Sequence, residues 1–302
     1  MTHQRPARRL ARRLATGGAA VLLLGLAPAI PAQAAPTSVA AAPAPCSLPA
    51  PFRARDFSSA LRIDNRFLPM RPGTQKTYWG YVVDAGERVP HTIVTTVTDL
   101  YKEIDGVRSR VVLDVDLSSG EVVESELAFF AQDDGGRVWN TGEYPEEYEN
   151  GRFTGAPSTW ISGQAHATAG VHMLGDPAVG SAGREYLQGR APAIDFLDCA
   201  AVHGLGGTAK VPAGAFTSIL TTFERSPLDS RTAIQTKEHA PYVGIVRIEA
   251  LHDPEGEHLA LTSVGTLGCA QLERIDDQVR DMDRRGDRVS AAYRATGPVH
   301  EG

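Results

Sequence analysis

Val107-Arg108-Ser109-Arg110-Val111-Val112-Leu113-Asp114-Val115-Asp116-Leu117, a Ser118-Ser119-Gly120 break, and Glu121-Val122-Val123-Glu124-Ser125-Glu126-Leu127 form the stretch from which the fold is read. Apolar and polar residues alternate on both sides of the break, the period-two signature of paired, half-buried strands. With Ser118-Ser119-Gly120 as a three-residue loop, Gly120 takes the left-handed position such loops favour. Val115 then faces Val123 and Val111 faces Leu127, so the apolar side chains, Leu113 included, share one face. A two-residue loop would move Leu113 and Leu117 onto the face of Glu124 and Glu126, and is set aside. The other face carries Asp114, Asp116, Glu124 and Glu126. Asp114 lies directly across from Glu124 there, and like charges so placed destabilise a ladder. In the next turn, Asp133-Asp134-Gly135-Gly136, an Asp-Gly suits a two-residue type I′ hairpin and pairs Phe130 with Trp139 on the acidic face. One face of this sheet is thus read as core, the other as outward carboxylates beside an aromatic pair.

Strand patterns of the same kind continue in both directions. Gln75–Asp84, His91–Glu103, Arg137–Gly142, Glu185–Gln188, Phe196–His203, Phe216–Phe223, Thr232–Glu238, Gly244–Leu251 and His258–Val264 are rich in β-branched and aromatic residues, with turn residues between them. Most connections are too short for parallel crossovers. The fold class expected is all-β: an antiparallel meander curled into a half-barrel or sandwich. One long irregular segment, Thr154–Gly183, is rich in Gly and Ala and reads as a loop. Beyond the strands, Leu272-Ile275-Val279-Met282 predicts a short C-terminal amphipathic helix that frays into a tail.

At the other end, Arg5, Arg8, Arg9, Arg12 and Arg13 precede an apolar run from Ala19 to Ile30 and an Ala32-Gln33-Ala34 site. That order is a signal peptide with cleavage before Ala35, and the run is shorter than the ~20 residues a spanning helix needs. The expected organisation is a signal peptide (1–34), a Pro/Ala-rich leader (35–55), a single β domain (56–269) and a charged C-terminal tail (270–302). Processing removes five arginines and no acid, leaving 25 basic against 36 acidic residues. A mature chain near −11 without a basic stripe does not suit nucleic acid or an anionic membrane surface. Export favours disulfides among Cys46, Cys199 and Cys269. A bridge from Cys269 to Cys46, flanking the last and first strands, is expected, with Cys199 a buried free thiol.

Asn65-Arg66-Phe67-Leu68-Pro69, Pro72-Gly73, Glu124, Ala131-Gln132-Asp133, Gly136-Arg137-Val138-Trp139 and Gly142-Glu143 resemble a group of exported bacterial β-rich proteins of uncharacterised activity. Their central pattern is A-Q-D-x-x-G-x-V-W-x-x-G-E. Trp160, Gly170, Met173, Pro212, Gly214, Phe216 and the 237–244 stretch extend the resemblance, which covers about Asn65 to Val246. The group usually carries an acid where this chain has Ala128, and His166, His172 and the three cysteines are peculiar to this chain. The resemblance implies compartment and fold, and no chemistry.

Gly180-Ser181-Ala182-Gly183 falls one residue short of a nucleophile elbow. The histidine spacings, 166/172 and 252/258, match no zinc pattern, and the Asp133 turn lacks the alternating oxygens of a calcium loop. No cofactor and no metal site is expected. The acidic face is the sharpest candidate: Glu124, Phe130, Trp139 and Glu143 lining a shallow cleft, with Trp160 folded over it from the 154–183 loop. The expected function is an exported binding or carrier module for a small, partly apolar molecule. The alternative is a carboxylate-based hydrolase or lyase using Glu124, Glu126 or Glu143 as acid and base.

Overall fold

The computed structural model describes residues 46–177, 184–229, 233–252 and 256–302. The signal-peptide and cleavage readings, and Ser181, lie outside the described residues. Strands β1 (Thr74–Asp84), β2 (Glu87–Ile104), β3 (Val107–Ser118), β4 (Glu121–Gln132) and β5 (Val138–Glu149) form a meander. Short β6 (Arg152–Gly155) and β7 (Trp160–Ile161) pair with β5. Then come β8 (Thr168–Met173), β9 (Tyr186–Ala191), β10 (Phe196–Val211), β11 (Gly214–Arg225), β12 (Ile234–Ala240), β13 (Gly244–Leu251) and β14 (Glu257–Thr266). Because β1 pairs with both β2 and β14, the sheet closes into an antiparallel barrel. Closure removes the exposed strand edges that an open sheet would leave. The all-β antiparallel expectation holds, and the half-barrel is completed. Thr154–Gly183 is not one irregular loop, since β7 and β8 lie within it, both paired to β5 and β8 also to β9.

The hairpins explain the register. Ala85-Gly86, Asp105-Gly106, Ser119-Gly120 and Asn150-Gly151 all have positive φ at both positions, the two-residue turn whose twist matches that of the strands. The β3–β4 loop is therefore Ser119-Gly120, with Ser118 opposite Glu121, and not three residues. A bulge then slips the ladder by one, so Asp116 faces Glu124, Asp114 faces Glu126 and Leu113 faces Leu127. The partners differ from the expected ones by two residues, which leaves both faces as read. The β4–β5 turn differs by one. Gln132 pairs with Val138 and Ala131 with Trp139, because Asp133 clamps a wider turn: its carboxylate accepts from the Gly135 and Arg137 amides, the Arg137 guanidinium and the Trp139 indole (2.8 Å). A one-residue slip moves a side chain through the sheet, so Phe130 and Trp139 stand on opposite faces.

Closure also inverts inside and outside. The apolar face of β3 and β4 (Val111, Leu113, Leu127, Phe129) points away from the barrel axis and is covered by α1 (Cys269–Val289) through Val279 and Met282. The predicted Ile275-Val279-Met282 stripe is there, on a 21-residue helix that does not fray early. It is followed by α2 (Ala291–Arg294), whose Tyr293 joins the same cluster. Arg285 of α1 makes paired bonds of 2.8 Å to the buried Glu146 carboxylate, which also accepts from Tyr144 and Tyr148. Among the described residues no helix is long and apolar enough to cross a membrane.

One barrel end is plugged by the chain before β1. Ile63, Phe67, Leu68 and Met70 pack on Val97, Val112, Phe130, Val138, Met173 and Leu220 from the surrounding strands. Asn65 locks the plug by donating to the Gly136 and Leu174 carbonyls and accepting from the Phe67 and Leu68 amides. A strap further upstream lies outside the barrel, where Leu48, Ala50, Phe52 and Phe57 cover Trp139. The strap is tied by a disulfide, Cys46–Cys199, with Cys269 exposed and free. The expected Cys46–Cys269 bridge is thus corrected. Ser47 bridges to Tyr186 on β9, which runs beside β10, and that pairing delivers Cys46 to Cys199.

Candidate functional site

Alternation along β3 and β4 carries Val112, Asp114, Asp116 and Phe130, Ala128, Glu126, Glu124 down the barrel wall. The apolar members meet the plug and the acids lie beyond it. On β5 the bulge at Thr141 keeps Asn140 and Glu143 on this same inner face, across from Phe130 and Ala128. Lys76 and Tyr78 of β1, Thr95 and Ile93 of β2, and Thr222, Glu224, Lys237 and His239 of β11 and β12 share the lumen. The barrel is apolar at the plug and acidic towards the other end.

Some of these charges are matched from within. Glu224 lies 2.5 Å from Lys237, whose charge outweighs burial and holds the Glu224 carboxyl below its ordinary range. His91 sits 3.6 Å from Asp116 and 3.4 Å from Glu257. Burial alone would lower its pKa, but those two carboxylates raise it to about 10. Burial lowers Lys76 to about 8, offset in part by Asp114. His239 is pushed down to about 3 by burial and stays neutral.

Glu124, Glu126 and Glu143 differ. Burial, then the charges of Asp116 and Glu143, raise Glu124 well above the ordinary carboxylate range. Burial, then Glu143 and Glu124, do the same to Glu126, which is 5% exposed. Glu143 is fully buried, and burial lifts it to about 7 although the Trp160 indole (2.9 Å) and Asn140 amide (2.6 Å) donate to it. Asp198 is raised to about 8 by burial and by Glu143 and Glu224.

This array predicts a pH dependence. Below about pH 4.5 Glu143 is protonated folded or unfolded, and its contribution is fully present. As pH rises the unfolded chain ionises first, and the contribution is lost by about pH 7, on the order of 3 kcal/mol for Glu143 alone. Glu124, Glu126 and Asp198 act in the same direction, while His239 opposes them below pH 6.5. Thermal melts should therefore be higher at pH 5 than at pH 8, with a shallower slope in Glu143→Gln. A flat or reversed profile would show that these carboxyls ionise freely.

Of the expected site residues, the structure brings Glu124 and Glu143 together in the lumen and joins Trp160 to Glu143 by a hydrogen bond. Phe130 is also inside, but packed against the plug. Trp139 is outside, 0% exposed, its ring edge-on to Phe52 at 5.2 Å, so it does not line a cleft with Phe130. Several residues of the A-Q-D-x-x-G-x-V-W-x-x-G-E stretch, and Asn65, have structural roles. Gln132 and Asn65 hold the plug, Asp133 the turn, and a Cβ on Gly142 would stand 2.8 Å from the Trp160 carbonyl. Lys76, His91, Asp198, Glu224 and Lys237 were not singled out from sequence. Alternation places Lys76 with Tyr78 and Lys237 with His239, but only closure shows which face is interior.

A small cavity of about 30 Å³ lies between plug and acids, lined by Lys76, Thr95, Asp114 and Phe130 among others. A surface cleft of about 510 Å³ beside α1, lined by Val115, Val122 and Tyr148, contains none of the expected site residues.

Fold and site define a closed antiparallel barrel, plugged at one end and acidic within. No family model matches the chain, and no curated protein does. Two solved structures are similar. One is a presumed exported protein with a YmcC-like fold from Bacteroides fragilis, with 15% identity, a TM-score of 0.36, and coverage of 67% of this chain and 100% of that one. The other, a presumed lipoprotein from Parabacteroides distasonis, shows 14% identity, a TM-score of 0.30, and coverage of 67% and 99%.

Proposed function

We propose that this chain is an extracytoplasmic binding protein that takes a small ligand into the acidic part of its barrel. Compartment is supported by the signal-peptide pattern together with the Cys46–Cys199 disulfide, which persists only outside a reducing cytosol. The observation that carries the binding reading is Glu126, buried and with no hydrogen bond or ion pair among the described residues. A buried carboxyl kept without a counter-ion weakens the fold, and proteins retain such groups where function needs them. The cavity of about 30 Å³ is too small for a carried apolar molecule, so the polar lumen supports recognition of a polar or charged group, with Tyr78 and Ile93 as apolar wall.

Glu126→Gln should stabilise the empty protein near pH 8, raising its melting temperature, since one buried, raised carboxyl is removed. Native mass spectrometry of the secreted protein should show a bound small molecule in the wild type and none in Glu126→Gln. Identical, empty spectra together with an unstabilised variant would overturn the reading. Acid–base chemistry is the second reading, favoured by Glu143 with its carboxyl near neutrality between two donors. A bound molecule chemically altered by the wild type, and left intact by Glu143→Gln, would establish it.

A further inference from the structure

We infer that Lys76 is a reactive lysine that captures a one- or two-carbon aldehyde as an imine in the small cavity beside the plug. This inference does not rest on the lumen acids Glu124 and Glu126. Lys76, Lys102, Lys210 and Lys237 are the lysines of the chain. Lys210 is exposed and the others are buried. Lys102 is held by Asp283 at 2.8 Å and Lys237 by Glu224 at 2.5 Å. Lys76, 7% exposed, has neither a hydrogen bond nor an ion pair among the described residues. A buried ammonium without a paired carboxylate is costly, and such lysines occur where the neutral amine serves as a nucleophile or forms a Schiff base.

Register supplies the rest of the site. On the adjoining strands β1, β2 and β3, Lys76 pairs with Thr95 and Thr95 with Asp114. These residues therefore stand in one row on the inner wall, ~4.8 Å apart from strand to strand, and all of them line the cavity of about 30 Å³. The Thr95 hydroxyl, in the middle, is buried with no hydrogen-bond partner among the described residues. Beside the amine the wall is bare backbone, since a Cβ on Gly244 would stand 2.8 Å from Lys76 Nζ. Pro69 and Thr74, both half-buried, belong to the same lining and give a small molecule a way in beside the plug. Burial brings Lys76 down to about 8 against the pull of Asp114, so a share of the amine is neutral at pH 7.5.

The condensation needs no further reactant. The Nζ lone pair attacks the carbonyl carbon, and the π electrons move to oxygen, which takes up a proton that the nitrogen sheds. Thr95 is placed to relay that proton, with Asp114 next in the row. The carbinolamine then loses its hydroxyl and the second nitrogen proton as water while the C=N bond forms, so amine plus aldehyde gives imine plus water. The cavity has room for about two water-sized groups, which admits so small an aldehyde and excludes an aromatic ring.

The test is reductive labelling of the full mature protein at pH 7.5, with cyanoborohydride and either formaldehyde or benzaldehyde, read lysine by lysine by peptide mass spectrometry. Formaldehyde should label Lys76 at least about fivefold faster than Lys210, because burial leaves Lys76 neutral more often than an ordinary lysine. Benzaldehyde should label Lys210 and leave Lys76 untouched. Lys102 and Lys237 should stay unlabelled with both reagents, which marks the labelled protein as folded. Formaldehyde labelling of Lys76 no faster than that of Lys210 overturns the reactive lysine. Equal labelling of Lys76 by the two aldehydes overturns the cavity as its site. Label spread evenly over Lys76, Lys102 and Lys237 reports an opened barrel and overturns both. The Glu126 reading stands or falls separately, on native mass spectrometry.

Discussion

Trp139→Ala is expected to cost about 3–5 kcal/mol of stability, the range for a fully buried core aromatic. Against a total of about 5–15 kcal/mol for a folded domain, that brings the protein close to unfolding. The side chain is 0% exposed, packs on Phe52 and Phe57 of the strap, and donates its indole N–H to Asp133 at 2.8 Å. Truncation leaves a cavity under the strap and takes one of four donors from the carboxylate that shapes the β4–β5 turn. Urea denaturation should show a lower midpoint with little change in slope. A loss under about 1 kcal/mol, with ligand binding gone, would instead restore Trp139 to the binding role that the sequence suggested for it.

Removing the Cys46–Cys199 disulfide is the second large effect. The bridge spans 153 residues of sequence, and chain-entropy arguments give a loop of that length about 5 kcal/mol of stabilisation. It also holds the strap over Trp139, so Cys46→Ala with Cys199→Ala should expose that aromatic cluster before the barrel itself opens. Reduction of the wild type should lower its melting temperature as the double variant does, whereas Cys269→Ser should change nothing, since Cys269 is exposed and free. Thiol titration of the denatured, unreduced chain should find one reactive group. Three would remove the bridge from the account.

Much of this was legible in the sequence because strand periodicity is local. Alternation in 107–127 fixes which residues share a face, and it places Asp114, Asp116, Glu124 and Glu126 together whether the hairpin pairs as expected or two residues away. Parity survives an even error. An odd error does not, which is why the β4–β5 turn mattered. Asp133 gathers backbone and side-chain donors into a turn wider than an Asp-Gly hairpin, and one residue of difference sends Trp139 to the outer face. No local pattern announces that a carboxylate will find an indole six residues away.

By itself, the sequence determined the antiparallel strands, their hairpin order, the apolar stripe of the C-terminal helix and the segregation of acids to one face. Tertiary structure alone decided which face is inside. Both faces of β3 and β4 had to be buried somewhere, and α1 covers the apolar one while closure of β1 onto β14 encloses the acidic one. The disulfide was decided the same way, because Cys46 and Cys199 meet only when the strap pairs beside β9. Contacts between residues more than a hundred positions apart depend on the closed sheet, and periodicity carries no information about them.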